Sequence, residues 1–373
     1  MTELAEIFRR YGPQYRAKFD NKLLPSHRQA MRAIVQCRTP ALSGHVYECP
    51  DCSETEYHYH SCRNRHCPKC QNKNAEQWLK KQQAMLLPVP YFLLTFTLPS
   101  ALRAIVRSQQ KRCYHLLFRT SADAIQLLAQ DPRFVGGQMG MVGVLHTWGR
   151  NLSYHPHVHY LVPGGGLAAD GKTWRPARES FLLPVKALSK IFRAKFRDAL
   201  RQDPCFTHVP VDVWEQDWVV HCQPVGCGLS ALKYLAPYIF RVAISNNRIL
   251  KLEDDQVTFR YRDSDTGQDK RCTLDAQEFI RRFLQHVLPK GFVKVRYYGF
   301  FSPGQRPRLA ALRQLLDCSP AEQTPSPEVV DPASPSIDQE TAALPPSPVV
   351  RCPSCGQVMQ RRPIPRAKGG LPP

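Results

Sequence analysis

The stretch SYHPHVHYLV, residues 153–162, sets histidines at 155, 157 and 159 ahead of an apolar run. Alternate residues of an extended chain share a face, so His157 and His159 point together while Val158 turns the other way, toward a core. His155 has the same parity, but Pro156 interrupts the ladder beside it. Two imidazoles at this spacing suit an ion that keeps positions open for a substrate oxygen. The segment therefore reads as a strand carrying a site on one face. Just upstream, MGMVGVLHTW (139–148) reads as its partner strand, and the polar turn at 149–153 makes the two a hairpin. His146 lies on that partner strand and could point inward.

Further out, YFLLTFTLP (91–99) reads as a buried strand and LRAIVRSQQKRCYHLLFRTSADAIQLLAQ (102–130) as a helix. LSKIFRAKFRDALRQ (188–202) is an amphipathic helix with Leu188, Ile191, Phe192 and Leu200 inward. DVWEQDWVVHCQPV (212–225) reads as a strand, and residues 277–303 as a helix followed by a basic, aromatic strand. Strand and helix patterns alternate through a zone spanning residues 89–318. It follows a Cys/His-rich zone at 1–88 and precedes a linker at 319–350, which lacks Lys and Arg, repeats Ser-Pro steps and reads as disordered. A basic tail, 351–373, closes the chain with Cys352 and Cys355, half of a zinc site.

The 373 residues carry a net charge of +20 and a pI near 9.5, an excess that favours polyanions, nucleic acid first among them. MLLPVPYFLLTFTLP (85–99), the most apolar segment, is cut by Pro88, Pro90 and Pro99, so no membrane span is expected. The N-terminus lacks a signal-peptide apolar core, and the expected address is the cytoplasm. In a reducing compartment the 14 cysteines read as metal ligands. CPDC (49–52) and CPKC (67–70) have close to the spacing of a four-cysteine structural zinc site, giving Cys49, Cys52, Cys67 and Cys70 as ligands. Cys37, His45, Cys62 and His66 interleave with them and form a candidate second zinc set. Arg63 and Arg65, set among these ligands, are candidates for phosphate contacts.

GLSALKYLAPYIFRVAISNNRI (228–249) offers Tyr234 and Tyr238, neighbours on one helix face, although Pro237 lies between them. Either phenol could act as a nucleophile with help from a cation. The alternative is a packed pair at a helix–sheet contact. Arg241, Arg248, Lys294 and Arg296, interleaved with Tyr297, Tyr298 and Phe300, are candidate DNA contacts. With 31 acidic residues and no convincing carboxylate triad, a carboxylate-based transposase is disfavoured.

The segments SCRNRHCPKCQ (61–71), LHTWGRNLSYHPHVHYLVPGGGL (145–167) and LKYLAPYIFRVAISNNRI (232–249) together resemble the two-tyrosine HUH transposases of rolling-circle insertion sequences. The specific likeness is to insertion-sequence family ninety-one, kin to Helitrons, and it spans about residues 10–315. It implies an α+β fold, an HUH-endonuclease antiparallel sheet flanked by helices, with an N-terminal zinc-binding domain ahead of it and the disordered tail behind. His157 and His159 would be the metal pair, the ion Mg²⁺ or Mn²⁺, and Tyr234 and Tyr238 the nucleophiles. Such sites usually have a third metal ligand, which the sequence does not name; His146 is favoured, with His155 and His221 as rivals. The implied chemistry cuts single-stranded DNA at element ends and target, leaves a 5′-phosphotyrosine and a free 3′-hydroxyl, and needs no nucleotide cofactor. It also implies a bacterial host. A plasmid-type relaxase or replication initiator is the alternative enzyme, and a zinc-ribbon DNA-binding regulator the alternative without catalysis.

Overall fold

The computed structural model describes residues 2–70, 72–230, 232, 243–263, 266–317 and 349–365. In chain order, α1 (Leu4–Phe19) and α2 (Pro25–Gln36) lead to strands β1 (Gly44–Glu48) and β2 (Thr55–Tyr59). Then come α3 (Asn72–Gln83), β3 (Pro90–Thr97), α4 (Arg103–Ser108), α5 (Gln110–Ala129), β4 (Met141–Trp148) and β5 (Tyr154–Pro163). A short pair, β6 (Gly165–Leu167) and β7 (Trp174–Pro176), precedes α6 (Val185–Leu200) and β8 (Val220–Cys227). The remainder is β9 (Ile249–Glu253), β10 (Gln256–Arg262), β11 (Asp269–Asp275), α7 (Ala276–Leu284), β12 (Val295–Tyr298), α8 (Arg306–Asp317) and β13 (Gln360–Ile364).

The chain divides into two compact units, Met1–Cys37 with Ser61–Asp317, and Arg38–His60 with Cys318–Pro373. The larger is α+β, built on a five-stranded antiparallel sheet of order β12-β4-β5-β3-β8. Parity decides what each face meets. Phe92, Leu94 and Phe96 of β3 and Val158 and Tyr160 of β5 face α5 and α6, where Phe96 sits edge-on to Phe192 with centroids 5.2 Å apart. Truncating a ring so enclosed costs about 3–5 kcal/mol. On the opposite face Tyr91, Leu93, Val142, Val144 and Leu161 lie under Phe300, Phe301 and the Leu309 and Leu312 side chains of α8. This second face also carries the histidines.

A further core in the same unit joins α1, α2 and α7 to a sheet of order β11-β10-β9, through Phe8, Ile34, Phe259, Phe279 and Phe283 among others. The smaller unit is a three-stranded antiparallel sheet, β13-β1-β2, with Tyr47, Cys49, Cys352 and Met359 buried.

Two elements depart from the sequence reading. The helix expected over 102–130 breaks at Gln109, whose φ of −123° and ψ of 46° are not helical, giving α4 and α5. The strand expected over 212–225 begins only at Val220. A 3-10 turn occupies Val211–Trp214 instead, because the Trp218 indole donates to the Val213 carbonyl at 2.9 Å and packs on Phe192 and Phe196. Tryptophans that alternate like strand residues are here plugs for the α6 side of the core. No helix among the described residues is long and apolar enough to cross a membrane.

Candidate functional site

The hairpin β4–β5 assembles three imidazoles. His146 is directly opposite His157 in the antiparallel register, and His159 follows two residues along β5, opposite Val144. Ring nitrogens of His146, His157 and His159 all lie within 4.8 Å of one another. The cluster extends the second face of the sheet beyond the apolar cover.

Each ring is held by a neighbour. The Thr95 hydroxyl on β3, paired with His159, lies 2.9 Å from His159 Nδ1, and the His155 carbonyl oxygen lies 2.7 Å from His157 Nδ1. Engaging Nδ1 in this way orients the His157 and His159 rings, as outer partners do for metal-ligating histidines. His146, 2 % exposed, stacks on Trp148 with centroids 5.2 Å apart. Burial pushes the His159 imidazolium down to about 4 and that of His157 well below its ordinary range. Neutral rings with free lone pairs are what a metal requires. The donor set fits a divalent ion with open coordination positions. Neither rival for third ligand joins the group: the His155 ring lies 5.2 Å from that of His157 but its Nδ1 meets Arg103 Nη2 at 3.1 Å, and His221 is exposed on β8, beyond β3.

The cysteines form two quartets, partitioned otherwise than sequence spacing suggests. Cys37, Cys62, Cys67 and Cys70 bring their sulfurs within 4.8 Å of one another, as do Cys49, Cys52, Cys352 and Cys355. The grouping of Cys49 and Cys52 with Cys67 and Cys70 is thus corrected. The set Cys37, His45, Cys62 and His66 also dissolves, because its two histidines have other partners. His45 Nε2 meets Arg361 Nη2 at 2.6 Å, while His66 Nε2 accepts from the Leu288 amide at 3.3 Å. The cause is topological. Residues 38–60 belong to the smaller unit, so Cys37 and Cys62 meet where the chain leaves and re-enters the larger one. Four thiols at such distances match tetrahedral zinc, whose sulfurs sit about 3.8 Å apart when each Zn–S bond is about 2.3 Å.

Arg63 and Arg65 are exposed and line, with Asn64, His66 and Lys290, a cavity of about 280 Å³. Arg65 also donates to the Phe292 carbonyl at 2.6 Å. The other cations are more engaged. Arg248 binds the Arg260 and Arg150 carbonyls, and Arg296 lies over Phe118 at 4.4 Å. Lys294 lies 4.9 Å from the Trp148 ring centre, and burial, reinforced by Arg65, lowers its ammonium to about 7. Of the interleaved aromatics, Phe300 is buried in the core and Tyr298 packs on Tyr160. Tyr234, Tyr238 and Arg241 lie outside the described residues, as do most of the linker and the chain beyond residue 365.

A family profile described as "Transposase zinc-binding domain" matches residues 7–98, and one described as "Putative transposase" matches residues 140–308. The chain is 43% identical over 338 residues to "Putative transposase y4qJ" of Sinorhizobium fredii, the match covering 85% of each chain. The chain belongs to the IS91-type transposases. It is also 28% identical over 295 residues to "Transposase for insertion sequence element IS801" of Pseudomonas savastanoi pv. phaseolicola, covering 74% of this chain and 70% of that one. No solved structure matches it. As an insertion-sequence transposase it acts on DNA, and the cysteine quartet within residues 7–98 places structural zinc in its zinc-binding domain. Sequence reasoning missed Thr95 and Trp148, whose roles follow from strand register and ring packing rather than from residue type.

Proposed function

We propose that this transposase cuts and rejoins single-stranded DNA at the ends of its element by the HUH, rolling-circle route, with Tyr234 and Tyr238 as nucleophiles. The observation that carries the reading is the convergence of His146, His157 and His159 on two neighbouring inner strands, β4 and β5, of an antiparallel sheet. These three would hold Mg²⁺ or Mn²⁺, which when bound polarises a phosphate oxygen and stabilises charge on the leaving oxygen. Mn²⁺ accepts nitrogen ligands the more readily. Thr95 and the His155 carbonyl keep the rings aimed, and burial keeps them unprotonated. A tyrosine oxygen would bond to phosphorus as the bond to the 3′-oxygen breaks, the phenolic proton ending on that oxygen or on water. The product holds a 5′-phosphotyrosine and a 3′-hydroxyl, so the reverse attack rejoins strands without a nucleotide cofactor. Arg63 and Arg65 would contact the backbone phosphates.

The test is covalent capture of a labelled single-stranded oligonucleotide carrying the element's end, resolved on a denaturing gel with Mn²⁺ present. Tyr234→Phe with Tyr238→Phe is expected to abolish the adduct, and either single change to leave cleavage but impair strand transfer. An adduct of undiminished yield in the double variant refutes the nucleophile assignment.

A further inference from the structure

We propose that Cys49, Cys52, Cys352 and Cys355 form a second structural zinc site, one that ties the C-terminal segment to residues 38–60 and makes the smaller unit a single folded ribbon. Cys352 and Cys355 lie outside residues 7–98 and 140–308, the spans shared with the family profiles. The Sγ atoms of Cys49 and Cys355 are 3.4 Å apart, those of Cys52 and Cys352 3.5 Å, and those of Cys52 and Cys355 3.7 Å. All are free thiols, and such edges suit the tetrahedron of sulfurs around zinc.

The backbone supports the same reading independently of the sulfurs. In the first knuckle the Cys49 amide donates to the Glu54 carbonyl at 2.9 Å and the Ser53 amide to the Cys49 carbonyl at 3.1 Å. In the second the Cys352 amide donates to Gln357 at 2.8 Å and the Gly356 amide returns to Cys352 at 2.9 Å. The offsets are identical, and each knuckle turns through a left-handed residue at the same step, Ser53 at φ 58° and Gly356 at φ 77°. Two segments far apart in sequence thus share one conformation, that of a turn presenting two cysteines to a common centre. Beyond the second knuckle β13 pairs with β1 from Gln360 to Glu48 through Ile364 to Gly44.

Energetics favour a metal there. Among the described residues of this unit the buried apolar set is Tyr47, Cys49, Cys352 and Met359, too little to offset the backbone entropy of three short strands. A tetrahedral thiolate site contributes folding free energy directly, each thiol giving up its proton as it coordinates. The segment after the linker is therefore a strand of the zinc-binding module, and without its metal β13 has little to hold it.

The inference does not depend on the catalytic reading, because thiolate coordination can be read without DNA or activity. In the full chain loaded with Co²⁺, the sulfur-to-cobalt charge-transfer band counts thiolate sites and ignores any ion on histidines. Cys352→Ser with Cys355→Ser is expected to reduce that band to about half, and Cys62→Ser with Cys67→Ser to remove the other half. An unchanged band in the C-terminal double variant overturns the site. A second arm guards against misfolding. With a protease site inserted in the linker and the otherwise unaltered zinc-loaded chain cleaved there, the C-terminal fragment is expected to co-elute with the body and to separate on chelation. Separation while zinc remains bound also overturns it.

Discussion

His27 on α2 is 3 % exposed, and its Nε2 has no hydrogen-bond partner among the described residues. Burial, with a smaller push from Arg107, lowers its imidazolium to about 4, whereas an unfolded histidine protonates near about 6.5. The unfolded chain therefore binds the extra proton first, and stability drawn from this residue is lost as pH falls from the unfolded value toward the folded one. His27→Leu removes both the unpaired polar atom and the titration. It is expected to raise stability by about 1 kcal/mol at neutral pH, with the advantage widening below about pH 6.5 by at most about 1.4 kcal/mol per pH unit. Urea midpoints at three pH values check this, and an advantage that does not grow in acid contradicts it. The same desolvation acts on His157 and His159, where it keeps the ring nitrogens unprotonated, the state in which imidazole can coordinate a metal. Single residues were legible from sequence to the extent that their property is local. Alternation alone sets His157 and His159 on one face, because strand parity needs no partner. The state of His27 depends on what packs over it, and the sequence records no such neighbour.

Elements were legible where their pattern is strong and their burial one-sided. The hairpin at 139–162 and the amphipathic α6 declare their period, whereas β9–β11 is written in a polar stretch in which, among the described residues, only Ile249, Val257, Thr258 and Phe259 are buried. Its period is faint because most of its residues face water. Turns between elements obey tighter rules. Gly299, directly after β12, has φ 57°, and a Cβ there would overlap the Met139 carbonyl oxygen. This close approach lets Phe300 reach the flat space over Gly140 and seal the second face of the sheet beneath α8. Gly299→Ala is expected to cost about 2–4 kcal/mol, from a left-handed alanine together with displaced backbone. Chemical denaturation of the full chain measures it, and a loss under about 0.5 kcal/mol would show that the turn shifts freely.

At the scale of the whole molecule, charge and long-range closure behave differently. The excess of basic over acidic residues, 51 against 31, is visible in the composition and agrees with a DNA partner. The pairing of Cys49 and Cys52 with Cys352 and Cys355 is not visible there, because each knuckle fits any other knuckle and only the fold chooses between them. Charge has a similar ambiguity: +20 spread over a surface attracts DNA anywhere, while a binding track concentrates the effect. Arg63 and Arg65, beside the cavity near the Cys37 quartet, belong to such a track if each neutralises a phosphate. Counterion release then makes the dependence of log affinity on log salt shallower by about 0.7 for each phosphate of a single strand that is no longer neutralised. Arg63→Gln with Arg65→Gln is expected to reduce the slope by about 1.4, whereas Lys186→Gln with Lys190→Gln, the same formal change on exposed positions of α6, should leave it within about 0.3. Fluorescence anisotropy of a labelled single strand over a salt series gives both slopes, with the cobalt band confirming that the neighbouring quartet is intact. Equal slopes for the two pairs would mean that the general field, rather than this track, carries the binding.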